Sequence, residues 1–301
     1  MTTVVSVEGL VKRYGDFAAV DGVSFEVEEG EIFGILGPNG AGKTTTVESL
    51  QGLRTIDSGR VSVLGLDPGP HADEVRRRIG SQLQESALPD RIKVWEALDL
   101  FGALSSEGPS LDSLLADWGL VDKRNDRFAN LSGGQQQRLF VALALVNNPK
   151  LVFLDEMTTG LDPSARRVAW DLIRRIREQG TTVVLVTHFM EEAETLCDRL
   201  TVINGGRVVA QGTPQGLIDE FGGGVRVRFT AGGDLGWLSG VAHVDSVERE
   251  RDRVEVRGNG PVMVHVAAAL LERGIAPTDL RAERATLEDV FLQLTRSEPA
   301  S

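Results

Sequence analysis

The chain is poor in cysteine, in aromatic residues and in positive charge, and it has no long apolar run. Cys197 is the only cysteine, so an intrachain disulfide is impossible, which fits a reducing compartment. Lys and Arg number 32 against 44 Asp and Glu, a net charge of −12. Residues 222–301 hold 10 basic and 12 acidic residues, a net −2 against −10 for the rest, so neither part is a basic nucleic-acid module. No stretch approaches the ~20 apolar residues of a membrane span. The best one, Leu139 to Val146, ends in Asn147-Asn148-Pro149. The opening Met1-Thr2-Thr3-Val4 has no basic region followed by an apolar stretch, so no signal peptide is expected. The composition, 41% hydrophobic and 25% charged over 301 residues, is that of a globular protein with one large domain or two unequal ones.

Short β-branched runs alternate with helical patterns through the first two thirds of the chain. Runs such as Ile32-Phe33-Gly34-Ile35-Leu36 and Val183-Val184-Leu185-Val186 do not alternate with polar residues, as expected of strands covered on both faces. The order strand-then-helix predicts an α/β core with a mostly parallel sheet. Strands are expected at Val4–Val7, Ser24–Val27, Glu31–Leu36, Val61–Leu64, Leu151–Leu154, Thr182–Thr187, Leu200–Asn204 and Arg207–Ala210. Between about 85 and 150 only helical patterns occur, which predicts a helical insertion. Gly222-Gly223-Gly224 marks a boundary between domain 1–221 and a small α+β domain 222–301. In the latter the pattern gives a short helix Leu235–Gly240, a helix Val262–Arg273, a strand Pro277–Ala282 and a helix Leu287–Leu294.

Three segments carry chemistry. Gly37-Pro38-Asn39-Gly40-Ala41-Gly42-Lys43-Thr44 matches G-x-x-x-x-G-K-[ST] between a strand and a helix. Its glycines let several N–H groups face one anion, the helix adds its positive end, and Lys43 adds a full charge near the terminal phosphates. Thr44 supplies a hydroxyl for Mg²⁺ and Thr45 another phosphate contact. Leu151-Val152-Phe153-Leu154-Asp155-Glu156 is an apolar strand ending in two carboxylates. Asp155 is placed to hold the Mg²⁺ shell, and Glu156 to orient and deprotonate an attacking water. Leu131-Ser132-Gly133-Gly134-Gln135 opens a second helix, with Ser132 as a good N-cap and two glycines exposing the next amides. A second helix-end anion site is of little use beside the first within one chain. It makes sense facing the nucleotide of another copy across a two-fold axis.

This ordered set resembles the ATP-binding subunit of an ABC transporter, over roughly residues 3 to 220. Leu131–Gln135 reads as the family's signature, and Gly37–Thr45 and Leu151–Glu156 as its two nucleotide motifs. The resemblance implies further roles. Tyr14, the only tyrosine, would stack on adenine, and Gln84 would link the metal to the helical insertion, with Gln82 as the competing candidate. Gly160-Leu161-Asp162 would form the dimer-contact loop, and His188 would be the switch histidine at the γ-phosphate. Met157 departs from the pattern, since relatives often have proline there. The stretches Gln84–Leu88 and Ala285–Phe291 are similar to ATPases of daunorubicin-resistance-type exporters. The implied protein is a homodimeric, Mg²⁺-dependent ATP hydrolase on the cytoplasmic face of the cell membrane, held there by an integral-membrane permease and acting on drugs, antibiotics or similar hydrophobic cargo. No nucleic acid is expected as partner. The alternative, a soluble ABC-type ATPase acting on nucleic acid or ribosomes, would call for coiled coils, a zinc module, tandem cassettes or a basic stripe.

Overall fold

Apolar runs become strands, and the computed structural model pairs them into three sheets; it describes residues 2–82, 88–103, 108–222 and 224–296. Two long strands come first, β1 (Thr3–Tyr14) and β2 (Phe17–Glu28), joined by a tight turn at Gly15, whose φ is 60°. There follow β3 (Ile32–Leu36), α1 (Lys43–Leu50), β4 (Ser58–Val63), α2 (Ala72–Arg78) and β5 (Ile79–Gln82). The described residues between β5 and β6 hold only helices: α3 (Val94–Gly102), α4 (Leu111–Asp117) and α5 (Gly133–Ala144), with two short 3₁₀ turns. The sheet then resumes with β6 (Leu151–Asp155), α6 (Pro163–Glu178), β7 (Thr182–Thr187), α7 (Met190–Leu196), β8 (Arg199–Asn204) and β9 (Arg207–Gly212).

Strands β2, β1 and β4 form an antiparallel sheet, and β5-β6-β7-β3-β8-β9 form a six-stranded one, parallel except for β9. The two sheets share one core: Val5, Leu10, Val23, Phe25 and Val63 pack with Phe33, Ile35, Phe153, Val184 and Val186. The Phe25 and Phe33 rings stack at 5.3 Å across that layer. The alternate residues of the same strands, such as Val152, Leu154, Val183 and Leu185, are buried too, on the face covered by helices. Double coverage explains why these strands read as unbroken apolar runs. The fold is thus the expected α/β, mostly parallel sheet with an antiparallel N-terminal part.

The chain divides into two compact units, Met1–Thr213 and Pro214–Ser301. The second comprises α8 (Pro214–Phe221), β10 (Val225–Thr230), β11 (Val244–Glu250), β12 (Arg253–Gly258), α9 (Val262–Glu272), β13 (Arg281–Arg284) and α10 (Leu287–Arg296). Its antiparallel sheet runs β11-β12-β10-β13, and Val227, Phe229, Val254 and Val256 face Val262, Val266 and Leu270 of α9. Helix α8, which precedes the glycine run, clusters with this unit. The strand expected at Pro277–Ala282 starts at Arg281 instead, because its register is set by pairing with β10 (Val225 opposite Arg284) and not by its own polar sequence. The segment expected as a helix at Leu235–Gly240 is a single 3₁₀ turn, Gly236–Gly240.

Candidate active site

The strand order decides where the motifs meet. Strands β6, β7 and β3 are neighbours and parallel, so their carboxyl ends lie side by side. Asp155 ends β6 and Glu156 follows it, His188 follows β7, and Gly37 follows β3. Ligand crevices form at such carboxyl edges in α/β sheets. A cleft of about 420 Å³ opens there, lined by Tyr14, Asn39, Gly40, Ala41, Gly42, Lys43, Thr44, Thr45 and Glu156. Phe17 and Ala19 line it too. Phe17 was not anticipated: it is 64% exposed and lies opposite Tyr14 across the β1–β2 turn. An aromatic on each side of a two-residue turn is the sequence signal that could have found it.

The loop Gly37–Gly42 is shaped by backbone demands. Gly40 and Gly42 have φ of 79° and 100°, in the region only glycine adopts freely. A Cβ at Gly42 would lie 2.3 Å from the Ala19 carbonyl, and one at Gly37 2.2 Å from that of Ile203. Gly42→Ala therefore combines strain with a backbone clash, and is expected to lower stability by about 1–3 kcal/mol and to weaken nucleotide binding. Thermal unfolding and nucleotide titration of that variant test it, and an unchanged midpoint would refute it. The Lys43 ammonium, 5% exposed, donates to the carbonyls of Gly37 (2.8 Å) and Pro38 (3.1 Å). Burial pulls the Lys43 pKa below its usual range, while the Glu156 and Asp155 carboxylates pull it up.

Asp155 is 4% exposed, and its Oδ1 has no hydrogen-bond partner among the described residues. Burial, then the Glu156 charge, push its pKa up to about 6 against the pull of Lys43. An under-satisfied buried carboxylate at this strand end suits Mg²⁺, which takes one or two carboxylates plus substrate phosphates. Glu156 has φ 48°, a left-handed conformation that is strained for a side-chain-bearing residue. Its Oε1 lies 3.3 Å from His188 Nδ1. Met157 is buried, so its side chain packs inward at the position where proline is common.

The signature residues go elsewhere. Leu131 is buried and Ser132 exposed; the Ser132 N–H donates to Gln135 Oε1 at 2.9 Å at the start of α5. Ser132, Gly134 and Gln135 line a separate cleft of about 230 Å³ with Leu161 of the Gly160-Leu161-Asp162 loop. Asp162 caps α6, accepting from the Ser164 and Ala165 N–H groups at 2.8 and 2.9 Å. Gly133, by contrast with Gly37 and Gly42, has open space where a Cβ would be. Gln84 falls outside the described residues. Gln82 is buried at the end of β5, its Oε1 without a partner among the described residues.

A phosphate loop between β3 and α1, with an acidic strand end beside it, defines a P-loop ATPase. The comparisons narrow the class. A family model described as ABC transporter matches residues 20–159. The chain is 40% identical to Daunorubicin resistance ATP-binding protein DrrA3 of Streptomyces coeruleorubidus, over 97% of this chain and 96% of that one. It is 41% identical to Nod factor export ATP-binding protein I of Mesorhizobium japonicum, over 99% and 88% respectively. Among solved structures it resembles a dimeric post-hydrolysis ATP-binding cassette bound to ADP and Pi, with a TM-score of 0.62 and 27% identity over 69% of this chain and 98% of that one. The chain belongs to the ABC transporter family, as an ATP-binding, ATP-hydrolysing subunit. Among its described residues no helix is long and apolar enough to cross a membrane.

Proposed function

We propose that two copies of this chain sandwich two ATP molecules, each held by the phosphate loop of one copy and capped by Ser132, Gly133 and Gly134 of the other, and that closure drives an export permease in the membrane above. The observation that carries the reading is the pair of glycines opening α5. Neither has a positive φ, and a Cβ on either would meet nothing within 4 Å. At these first two helical positions no φ demand and no crowding within the chain calls for glycine. Close approach by an object outside the chain would account for them. The residues lining the phosphate-loop cleft include none of Leu131–Gln135, which favours capping in trans.

In this reading Lys43 and the loop amides grip the phosphates, Tyr14 stacks on adenine, and Glu156 takes a proton from the attacking water. Thr44, Asp155 and Gln84 would hold Mg²⁺, which when bound neutralises charge on the terminal phosphates. His188 contacts the γ-phosphate, and Gly160, Leu161 and Asp162 meet the second copy. Loss of the γ-phosphate removes the charge both faces share, so the dimer opens. The subunit would sit on the inner face of the membrane through its permease. Relatives named for daunorubicin resistance and for Nod factor export support an export direction, with cargo contacts in the permease.

Mixing two inactive variants tests the trans arrangement. Lys43→Ala removes the phosphate grip, and Gly134→Asp places a negative charge at the capping face, where open space accommodates it. Each alone is expected to lack turnover. In a two-fold dimer the mixed species has one intact composite site, so an equimolar mixture recovers about a quarter of wild-type phosphate release. No recovery on mixing would reject capping in trans.

A further inference from the structure

The first turn of α6 carries a charge of the wrong sign. Arg166 is the fourth residue of that helix, and the Asp162 cap is the one acidic side chain at its start, spent on the Ser164 and Ala165 N–H groups. A cation there opposes the helix dipole. Its Nε is buried and has no hydrogen-bond partner among the described residues. What it does meet is an aromatic ring: the guanidinium carbon lies 4.3 Å from the Phe189 centroid. Phe189 in turn lies against His188, ring centroids 4.1 Å apart and tilted by 39°. The Phe189 N–H donates to Thr187 Oγ1 at 3.0 Å, which fixes the bend between β7 and α7.

One turn further along α6, Trp170 Nε1 donates to Glu192 Oε1 at 2.9 Å, and both residues are buried. Residues 166 and 170 share a helix face, so α6 holds the start of α7 at two points, at Phe189 and at Glu192. Helix α6 itself begins at the Asp162 cap, directly after Gly160-Leu161. A displacement of that loop reaches Arg166 within a single turn.

We propose that Arg166 and Phe189 are positioning residues that set the place of the His188 imidazole and tie it to the Gly160–Asp162 loop. Arg166 lies over the ring, and the ring buttresses the imidazole, whose Nδ1 is 3.3 Å from Glu156 Oε1. The inference rests on the reading of His188 as the γ-phosphate contact. Misplacing a group that contacts the reacting phosphate harms the transition state more than ground-state binding.

The test uses Arg166→Ala, Phe189→Leu, their double variant and His188→Ala in the full chain. The expected result is a kcat about tenfold lower in each single variant with KM for ATP within about twofold, and a parallel fall in ADP–vanadate trapping. The double variant should be no slower than either single one, because both break the same contact. Unchanged kcat in Arg166→Ala and Phe189→Leu, or losses that multiply in the double variant, would overturn the proposal. If His188→Ala also turns over like wild type, the reading of His188 fails as well. If His188→Ala is inactive while the other variants are unaffected, only the positioning role is lost.

Discussion

Glu156→Gln keeps ATP binding and loses turnover by about 10²–10⁴-fold, the usual contribution of a positioned general base. The backbone at Glu156 is the first reason. A φ of 48° is unfavourable for any residue with a Cβ. It persists because the Glu156 N–H donates to the Val186 carbonyl at 2.9 Å, while its own carbonyl accepts from Thr159 at 3.1 Å. The turn aims the side chain into the cleft beside the phosphate loop, where it is only 10% exposed. Glutamine has the same shape and reaches the same place, but it takes no proton from water. In the proposed site the phosphate grip comes from Lys43 and the loop amides, so affinity is expected to stay intact. Nucleotide titration together with steady-state phosphate release distinguishes the two effects. Wild-type-like turnover would remove Glu156 from the role of base, and dimerisation of this variant without ATP would count against nucleotide-driven closure.

The parts of this site that sequence reveals are those whose backbone demands are local. Gly40 and Gly42 need left-handed φ values and Lys43 needs the following helix, so loop, charge and helix start are written contiguously. Strands β3, β6 and β7 are equally readable because burial on both faces removes polar alternation. Strand β5 was not foreseen: Ile79-Gly80-Ser81-Gln82 is short and half polar, and it is a strand only because β6 pairs with it. The shift of β13 has the same origin, a register fixed by a distant partner. Helix α8 is short and lies just before the glycine run, so nothing local in the sequence sets it apart from the first domain. Side-chain geometry is the least readable level. Neither the strain at Glu156 nor the stack of Arg166 on Phe189 follows from spacing, since each depends on how β7 and α6 are packed.

Asp155→Asn should make the protein more stable and less active, with the gain dependent on pH. Burial and the adjacent Glu156 charge raise the Asp155 pKa to about 6, well above the ordinary carboxylate value. The ionised form is therefore disfavoured in the fold relative to the unfolded chain. A raised folded pKa means that the protonated form stabilises the native state at low pH. That advantage is lost as pH climbs, starting near the unfolded value and finishing above about 6. At 1.36 kcal/mol per unit, the penalty at pH 8 is about 2–3 kcal/mol. Asparagine never ionises, so Asp155→Asn is expected to raise the unfolding midpoint at pH 8 and to change it little at pH 4. The same substitution removes the carboxylate proposed to hold Mg²⁺, so Mg²⁺-dependent turnover should fall by at least about 10²-fold. Mg²⁺ with ATP should accordingly stabilise the wild type at pH 8 more than the variant. In the wild type, Mg²⁺ affinity should weaken as pH falls through 6 and Asp155 takes up its proton. Thermal unfolding from pH 4 to 8, with and without Mg²⁺ and ATP, measures all of these. A variant less stable than wild type at pH 8, or a stability difference that ignores pH, would show that the Asp155 charge is not strained by its surroundings and that its orphaned oxygen is not held ready for a cation.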